Sequence, residues 1–100
     1  MIIELTPQFS DTPLSAEKQG DTLTINGQPF DYSQLPDGAT LPLEAIDSPH
    51  FAGPVERIGG QLHVRLVLPI QRAVFHGSIP PIMNPPDGPI VLPEIKEVTK

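Results

Sequence analysis

Three histidines recur at equal intervals, and histidine is the side chain most often used for metal binding and for proton transfer near neutral pH. His50, His63 and His76 lie thirteen residues apart. Zinc sites take three or four ligands, and two of these usually stand a few residues apart. This spacing lacks such a close pair, so surface or edge histidines are the simpler interpretation. The sequence predicts no metal site.

The segment IDSPH brings together the residue types of a hydrolytic triad in Asp47, Ser48 and His50. Triads are assembled from distant segments, with the nucleophile on a strained turn beside an oxyanion hole. Three neighbours in one loop rarely aim at each other in that way, whereas Asp, Ser and Pro commonly build turns. We therefore expect a turn here.

General acid–base catalysis needs two carboxylates held across a cleft. Nothing in the sequence groups the acidic candidates, which are Glu4, Asp31, Glu44 and Glu56. The glycines of GDTLTING and IGGQ do not precede a helix, so they do not form a phosphate-binding loop. The sequence thus predicts no catalytic residue, no cofactor-binding residue and no enzymatic activity.

The elements around these residues indicate a mainly β fold. A chain of 100 residues fits one domain, and its 14 prolines disfavour long helices. Residues 2–6 read as a strand that Pro7 stops, and residues 14–19 as another strand, with one helical turn as the alternative. Thr40 is a candidate cap for a single helical turn over residues 42–45.

The clearest hairpin is DTLTINGQPFDY, which turns at Asn26-Gly27, the strongest two-residue signal for a type I′ turn. This register pairs Ile25 with Gln28, Leu23 with Phe30 and Asp21 with Tyr32. The apolar residues then share one face, and their agreement on both strands supports the register. Pro29 lacks a backbone donor, which indicates an edge strand.

A second hairpin is predicted at Gly59-Gly60, with Arg57 opposite Leu62 and Glu56 opposite His63. The strand that follows alternates strictly and is expected to be central in its sheet. The predicted core consists of Leu23, Ile25, Phe30, Tyr32, Val55, Leu62, Val64, Leu66 and Leu68.

The alternation ends after Pro69, and SIPPIMNPPDGPIVLP cannot form a helix or a regular ladder. The sequence therefore predicts two parts of the chain, a β-rich core over residues 1–78 and an extended Pro-rich arm with a charged tail over residues 79–100. We expect residues 79–89 to be extended, with a short edge strand over residues 89–92. The predicted fold is a small domain of antiparallel hairpins with this arm.

A formal net charge of −6 disfavours nucleic acid and anionic membranes as partners, because both are bound chiefly through Lys and Arg. There is no cysteine, no basic leader pattern and no apolar stretch of membrane-spanning length. The expected location is the cytoplasm of the cell that makes the protein.

Four stretches carry a resemblance: GDTLTING, FDYSQLPDGATLP, GPVERIGGQLHVRLVLP and DGPIVLP. They resemble small uncharacterised proteins of tailed phages and prophages, encoded in the tail gene region. The resemblance implies a host cytoplasmic protein, with incorporation into the virion left open. Because those proteins have no assigned activity, the resemblance carries no functional residue.

Together these observations favour a non-enzymatic module that binds another phage protein, for instance as an accessory in tail assembly. The extended arm is the predicted binding element, since such segments add to sheet edges or lie in grooves. The alternative is an acidic host-directed or regulatory factor, which rests on the net charge.

Overall fold

The computed structural model describes residues 1–10, 12–70 and 79–92. These ranges contain a 3₁₀ turn, Leu43–Ala45, and nine strands. The strands are β1 (Ile2–Phe9), β2 (Ala16–Gln19), β3 (Thr22–Ile25), β4 (Gln28–Asp31), β5 (Thr40–Leu41), β6 (Val55–Ile58), β7 (Gln61–Ile70), β8 (Ile82–Met83) and β9 (Gly88–Pro89).

The strands form two sheets. One has five strands in the order β5-β6-β7-β1-β8, and the other has four in the order β4-β3-β2-β9. A single cluster of buried apolar side chains draws members from both sheets, because each sheet turns its alternating apolar face toward the other. The predicted mainly β fold is confirmed.

The first hairpin has the predicted turn and register. Asn26 and Gly27 both have positive φ, at 49° and 84°, as a type I′ turn requires. Leu23 lies opposite Phe30, and the Tyr32 N–H donates to the Asp21 carbonyl at 3.0 Å. Strand β4 is the edge of its sheet, so the position predicted for Pro29 is also confirmed.

The second hairpin and its long strand agree with the prediction as well. Glu56 pairs with His63 and Arg57 with Leu62, across a turn in which both glycines have positive φ. Strand β7 is central, between β6 and β1. Val67, which interrupts the polar face of β7, is half-buried.

The predicted stop at Pro7 is wrong, because β1 continues to Phe9 and pairs in parallel with β7 along its whole length. The Met1 carbonyl accepts from the Asn84 N–H, on the side away from β7. The backbone N–H and C=O groups of every second residue in a strand point to the same side. The backbone nitrogen of Pro7 therefore points away from β7, as the Met1 carbonyl does. The donor that Pro7 lacks is therefore not needed for pairing with β7.

Two local predictions in the first half of the chain have different outcomes. Residues 16–19 form a strand rather than the alternative helical turn. A single turn of 3₁₀ helix exists over Leu43–Ala45, but Thr40 does not cap it. Thr40 lies in β5 opposite Glu56, and Pro42 holds the cap position without a side-chain hydrogen bond.

The described part of the C-terminal arm, residues 79–92, is extended and lacks helix, as predicted. It contributes β8 beside β1 and β9 beside β2, and the Ile90 N–H donates to the Ala16 carbonyl at 2.9 Å. The last strand thus lies at Gly88–Pro89 rather than over residues 89–92. The division at residue 78 stays a prediction, and residues 93–100 lie outside the described ranges.

Eight of the nine predicted core residues are buried, and Phe30 is half-buried with its ring 5.0 Å from that of Phe51 in an edge-to-face contact. The core also contains residues that the pattern did not single out. These are Met1, Ile3, Leu5, Ala16, Ile46, Phe51 and Ile90.

Candidate functional site

The residues of the IDSPH segment do not assemble into a catalytic group. The Ser48 hydroxyl accepts a hydrogen bond from the backbone N–H of His50 at 3.2 Å, which closes the turn that the sequence predicted. The His50 ring lies 3.2 Å from the Asn26 side-chain amide instead of reaching Ser48. Asp47 contributes its backbone carbonyl to Gln28.

The histidines lie in different parts of the fold. His63 lies half-buried in β7 opposite Glu56, His50 lies in the loop beside the first hairpin, and His76 lies outside the described residues. Across the described ranges, no three His, Asp or Glu side chains come together in a way that could hold a metal ion.

Three of the four acidic candidates contact other groups, and the four carboxylates do not form a cluster. Arg65 lies between Glu4 and Glu56, with nitrogen–oxygen distances of 4.0 and 3.9 Å. The Asp31 carboxylate accepts from the Ser33 N–H at 2.9 Å, and this hydrogen bond lowers the pKa of Asp31. Glu44 is exposed in the 3₁₀ turn.

Arg57 is a structural connector between the sheets. Its guanidinium donates to the carbonyls of Leu35 (2.6 Å) and Tyr32 (2.9 Å) and forms an ion pair with Asp21 at 3.1 Å. Its side chain is only 13% exposed. In these bonds a partly buried arginine satisfies loop carbonyls, so its donors are already used within the fold.

A groove of about 240 Å³ lies at the far end of β1 and β7, beside the loop that carries His50. Its lining is half apolar and half polar, and His50 is the one ionisable side chain among the lining residues that the structure describes. The lining residues are Gln8, Phe9, Ser10, Thr12, Pro49, His50, Val67 and Pro69. This mixed lining suits a non-covalent contact with a partly apolar group. Among the described residues, no hydrogen bond joins a hydroxyl of the lining to the His50 ring.

Three separate segments build this groove. The end of β1 supplies Phe9, the end of β7 supplies Val67, and the loop between them in space supplies His50. The His50 carbonyl accepts from the Val67 N–H at 2.8 Å, which holds the loop against β7. The Asn26 amide, which also donates to the Pro13 carbonyl, contacts the His50 ring from the hairpin turn.

Phe9 is the most unusual residue of the groove, because its large aromatic side chain is 63% exposed. The sequence analysis ended the first strand at Pro7 and did not single out Phe9. A signal was present in PQFSDTP, where a large aromatic residue stands among polar and turn-forming ones. The segment around Phe9 lacks the apolar alternation that predicts burial. Aromatic side chains are enriched at protein–protein interfaces.

The backbone edge of β1 lies next to this groove. Strand β8 pairs with β1 only at Ile2 and Ile3. Within the described ranges, no residue pairs with positions 4–9 of β1 on the side away from β7. An edge of this kind accepts an added strand, although Pro7 interrupts its donors.

Searches against family models, curated proteins and solved structures found no match for this chain. In the described ranges, no helix combines the length and the apolar character that crossing a bilayer requires.

Proposed function

We propose that this chain is a non-enzymatic protein-interaction module, and that it serves as a tail-assembly accessory of a tailed phage or prophage. Its partner is another phage protein in the host cytoplasm, and the contact is made at the Phe9 groove. The observation that carries the proposal is the exposed aromatic side chain of Phe9, which lies beside a strand edge that no described residue covers. The phage assignment rests on the sequence resemblance.

The groove favours a partner segment that is extended and carries an apolar side chain. Phe9, Val67 and the two prolines of the lining offer apolar contact, while Gln8, Ser10 and Thr12 offer hydrogen bonds at the rim. The edge of β1 adds backbone donors and acceptors alongside. This combination of an anchoring groove and a sheet edge is the mode in which strands are added to a folded domain.

The described arm is not the binding element of this proposal. Residues 79–92 already lie against both sheets, and Ile90 is buried in the core. The backbone pairing and the core contact of this segment are already used within its own chain. The groove takes over the role that the sequence assigned to the arm.

Co-purification tests the proposal. Tagged chain is expressed with the tail-region proteins of a phage that encodes it, and captured proteins are identified. We expect capture of one tail protein, its loss in Phe9→Ser and its retention in Ile58→Ser. Ile58 is the matched control, since it is 54% exposed on a different strand. A chain that captures no tail protein contradicts the proposal.

An acidic binding factor directed at a host protein is the second candidate, and the charge distribution favours it. The described residues include nine acidic and three basic ones, and each basic side chain lies within 4.0 Å of a carboxylate. The described surface therefore presents carboxylates and few free cations. Capture from host lysate that disappears at raised salt supports this candidate, because salt screens exposed charges. Capture through the groove should persist at raised salt, because it depends on apolar contact rather than on exposed charges.

A further inference from the structure

We propose that the arm, residues 79–92, exchanges between two copies of this chain, so that the arm of each copy docks on the sheets of the other. The inference stands on the contacts of the arm alone. It holds whether or not the chain binds a phage tail protein.

The arm binds the rest of the chain as a peptide ligand binds a receptor. Strand β8 adds to the edge of one sheet, and β9 adds to the edge of the other. Both strands have only two residues, and both are outermost in their sheets. The pairings within the hairpins and between β1 and β7 do not involve the arm, which makes the arm a separable unit.

Specific anchors fix the arm at three points. The Asn84 N–H donates to the Met1 carbonyl at 2.8 Å, and the Asp87 carboxylate accepts from Lys18 Nζ at 2.8 Å and from the Gly20 N–H at 3.0 Å. Ile90 buries its side chain and donates its N–H to the Ala16 carbonyl. All of these partners belong to the first twenty residues of the chain.

A second copy is the occupant that fits these anchors without any change. It carries the same Asn84, Asp87 and Ile90 at the same spacing, so exchange re-forms every bond that opening breaks. Two exchanged copies form a closed, two-fold dimer, which is the commonest symmetry of assemblies between identical chains. The enthalpic difference between the two forms is small, and protein concentration decides between them.

The number of residues between the strands is more than the closed form requires. Ile70 pairs with Phe9 at one end of β1, and Ile82 pairs with Ile3 near the other end. Six residues of strand separate Ile3 from Phe9, or about 20 Å. The eleven residues from 71 to 81 can span up to about 36 Å, so they reach the docking edges of their own copy with length to spare.

Paired cysteine variants test the exchange, because the chain has no cysteine of its own. One preparation carries Glu17→Cys in β2, and the other carries Pro89→Cys in β9, which lies directly opposite. Closed monomers keep these cysteines on separate molecules. Exchanged dimers place them face to face, where they can form a disulfide.

We expect a covalent heterodimer after the two full-length preparations are mixed and oxidised, in an amount that rises with protein concentration. The matched control replaces Glu17→Cys by Pro29→Cys, which lies on the opposite edge of the same sheet, and should give background only. Asp87→Asn in the arm preparation should speed heterodimer formation, since it weakens an anchor of the closed form.

The double variant Glu17→Cys/Pro89→Cys makes a negative result decisive. Its internal disulfide, formed in dilute solution, shows that the two positions can be bridged. If the double variant closes while the mixture never exceeds the Pro29→Cys control, the arm stays on its own copy and the proposal is overturned. Because no tail protein is present, this outcome leaves the proposed function untouched.

Discussion

The two ends of β1 are built from one strand and behave differently. At its start, Ile3 is 0% exposed between β7 and β8, and the amino group of Met1 donates to Gln61 and Asn84. At its far end, Phe9 is paired with β7 alone within the described ranges and is 63% exposed. The covered end stabilises the fold, whereas the open end is the surface that we propose for a partner.

The largest expected effect is a difference in the free energy of unfolding between substitutions at the two ends of β1. Ile3→Ala should lower the free energy of unfolding by about 2–5 kcal/mol, because it leaves a cavity in the core. Phe9→Ala should change it by less than about 0.5 kcal/mol, the scale of exposed sites. Urea unfolding of both variants and the parent chain measures the difference. Equal losses at the two positions would show that Phe9 also belongs to the core.

The hairpins could be predicted because their information is local. Asn26-Gly27 and Gly59-Gly60 specify the turns, and the alternation on either side specifies the register. The pairing of β1 with β7 joins residues about sixty positions apart, such as Ile2 and His63, and no local signal marks it. The strand therefore seemed to end at Pro7.

The candidate site was harder to predict than the fold. Its lining comes from three segments that the topology brings together, and none of them has a motif. Proline content correctly predicted an extended arm, because proline removes backbone donors. Composition could not show that Asp87 and Ile90 have partners in the first twenty residues of the chain.

Arg57 is expected to give the next largest effect, and Arg65 is its matched control on the neighbouring strand. Arg57→Met leaves the Leu35 and Tyr32 carbonyls without their donor, which should cost about 1.5–3 kcal/mol. Arg65→Met breaks two long ion pairs and one hydrogen bond, to the Pro54 carbonyl at 3.0 Å, and should cost less, about 1 kcal/mol. Thermal unfolding compares the two variants. A larger loss from Arg65→Met would place the main polar connection on the outer face.

Tyr32 makes stability depend on alkaline pH. Burial raises its pKa to about 12, and its hydroxyl is buried without a hydrogen-bond partner. The folded state therefore favours the neutral phenol. This contribution is complete below the unfolded pKa near 10 and is lost as the pH rises toward 12, by up to about 2–3 kcal/mol.

Tyr32→Phe should remove this alkaline loss and leave stability near neutral pH equal or slightly higher, because an unpaired hydroxyl leaves the core. The chain has one tyrosine and no tryptophan, so ultraviolet absorbance follows the ionisation directly. Identical alkaline unfolding of both proteins would rule out Tyr32 as the responsible group.

The smallest effect concerns the arm in acid. The hydrogen bond from Lys18 lowers the pKa of Asp87, with the Gly20 N–H as a second donor. The anchor is therefore present above the unfolded pKa of about 4 and is lost as the pH falls through the lower folded value. The protection of the Ile90 amide against hydrogen exchange, measured relative to the intrinsic rate at each pH, should fall in acid in the parent chain. Asp87→Asn should already exchange faster at neutral pH and show a weaker pH dependence there.

Titration of the captured tail protein against three forms of the full-length chain tests the central claim most directly. The account predicts that Phe9→Ser weakens binding at least about tenfold, equivalent to about 1.4 kcal/mol, while Ile58→Ser binds like the parent and both variants stay folded. Equal binding by all three forms, or a loss confined to Ile58→Ser, would contradict the assignment of the partner surface to the open end of β1.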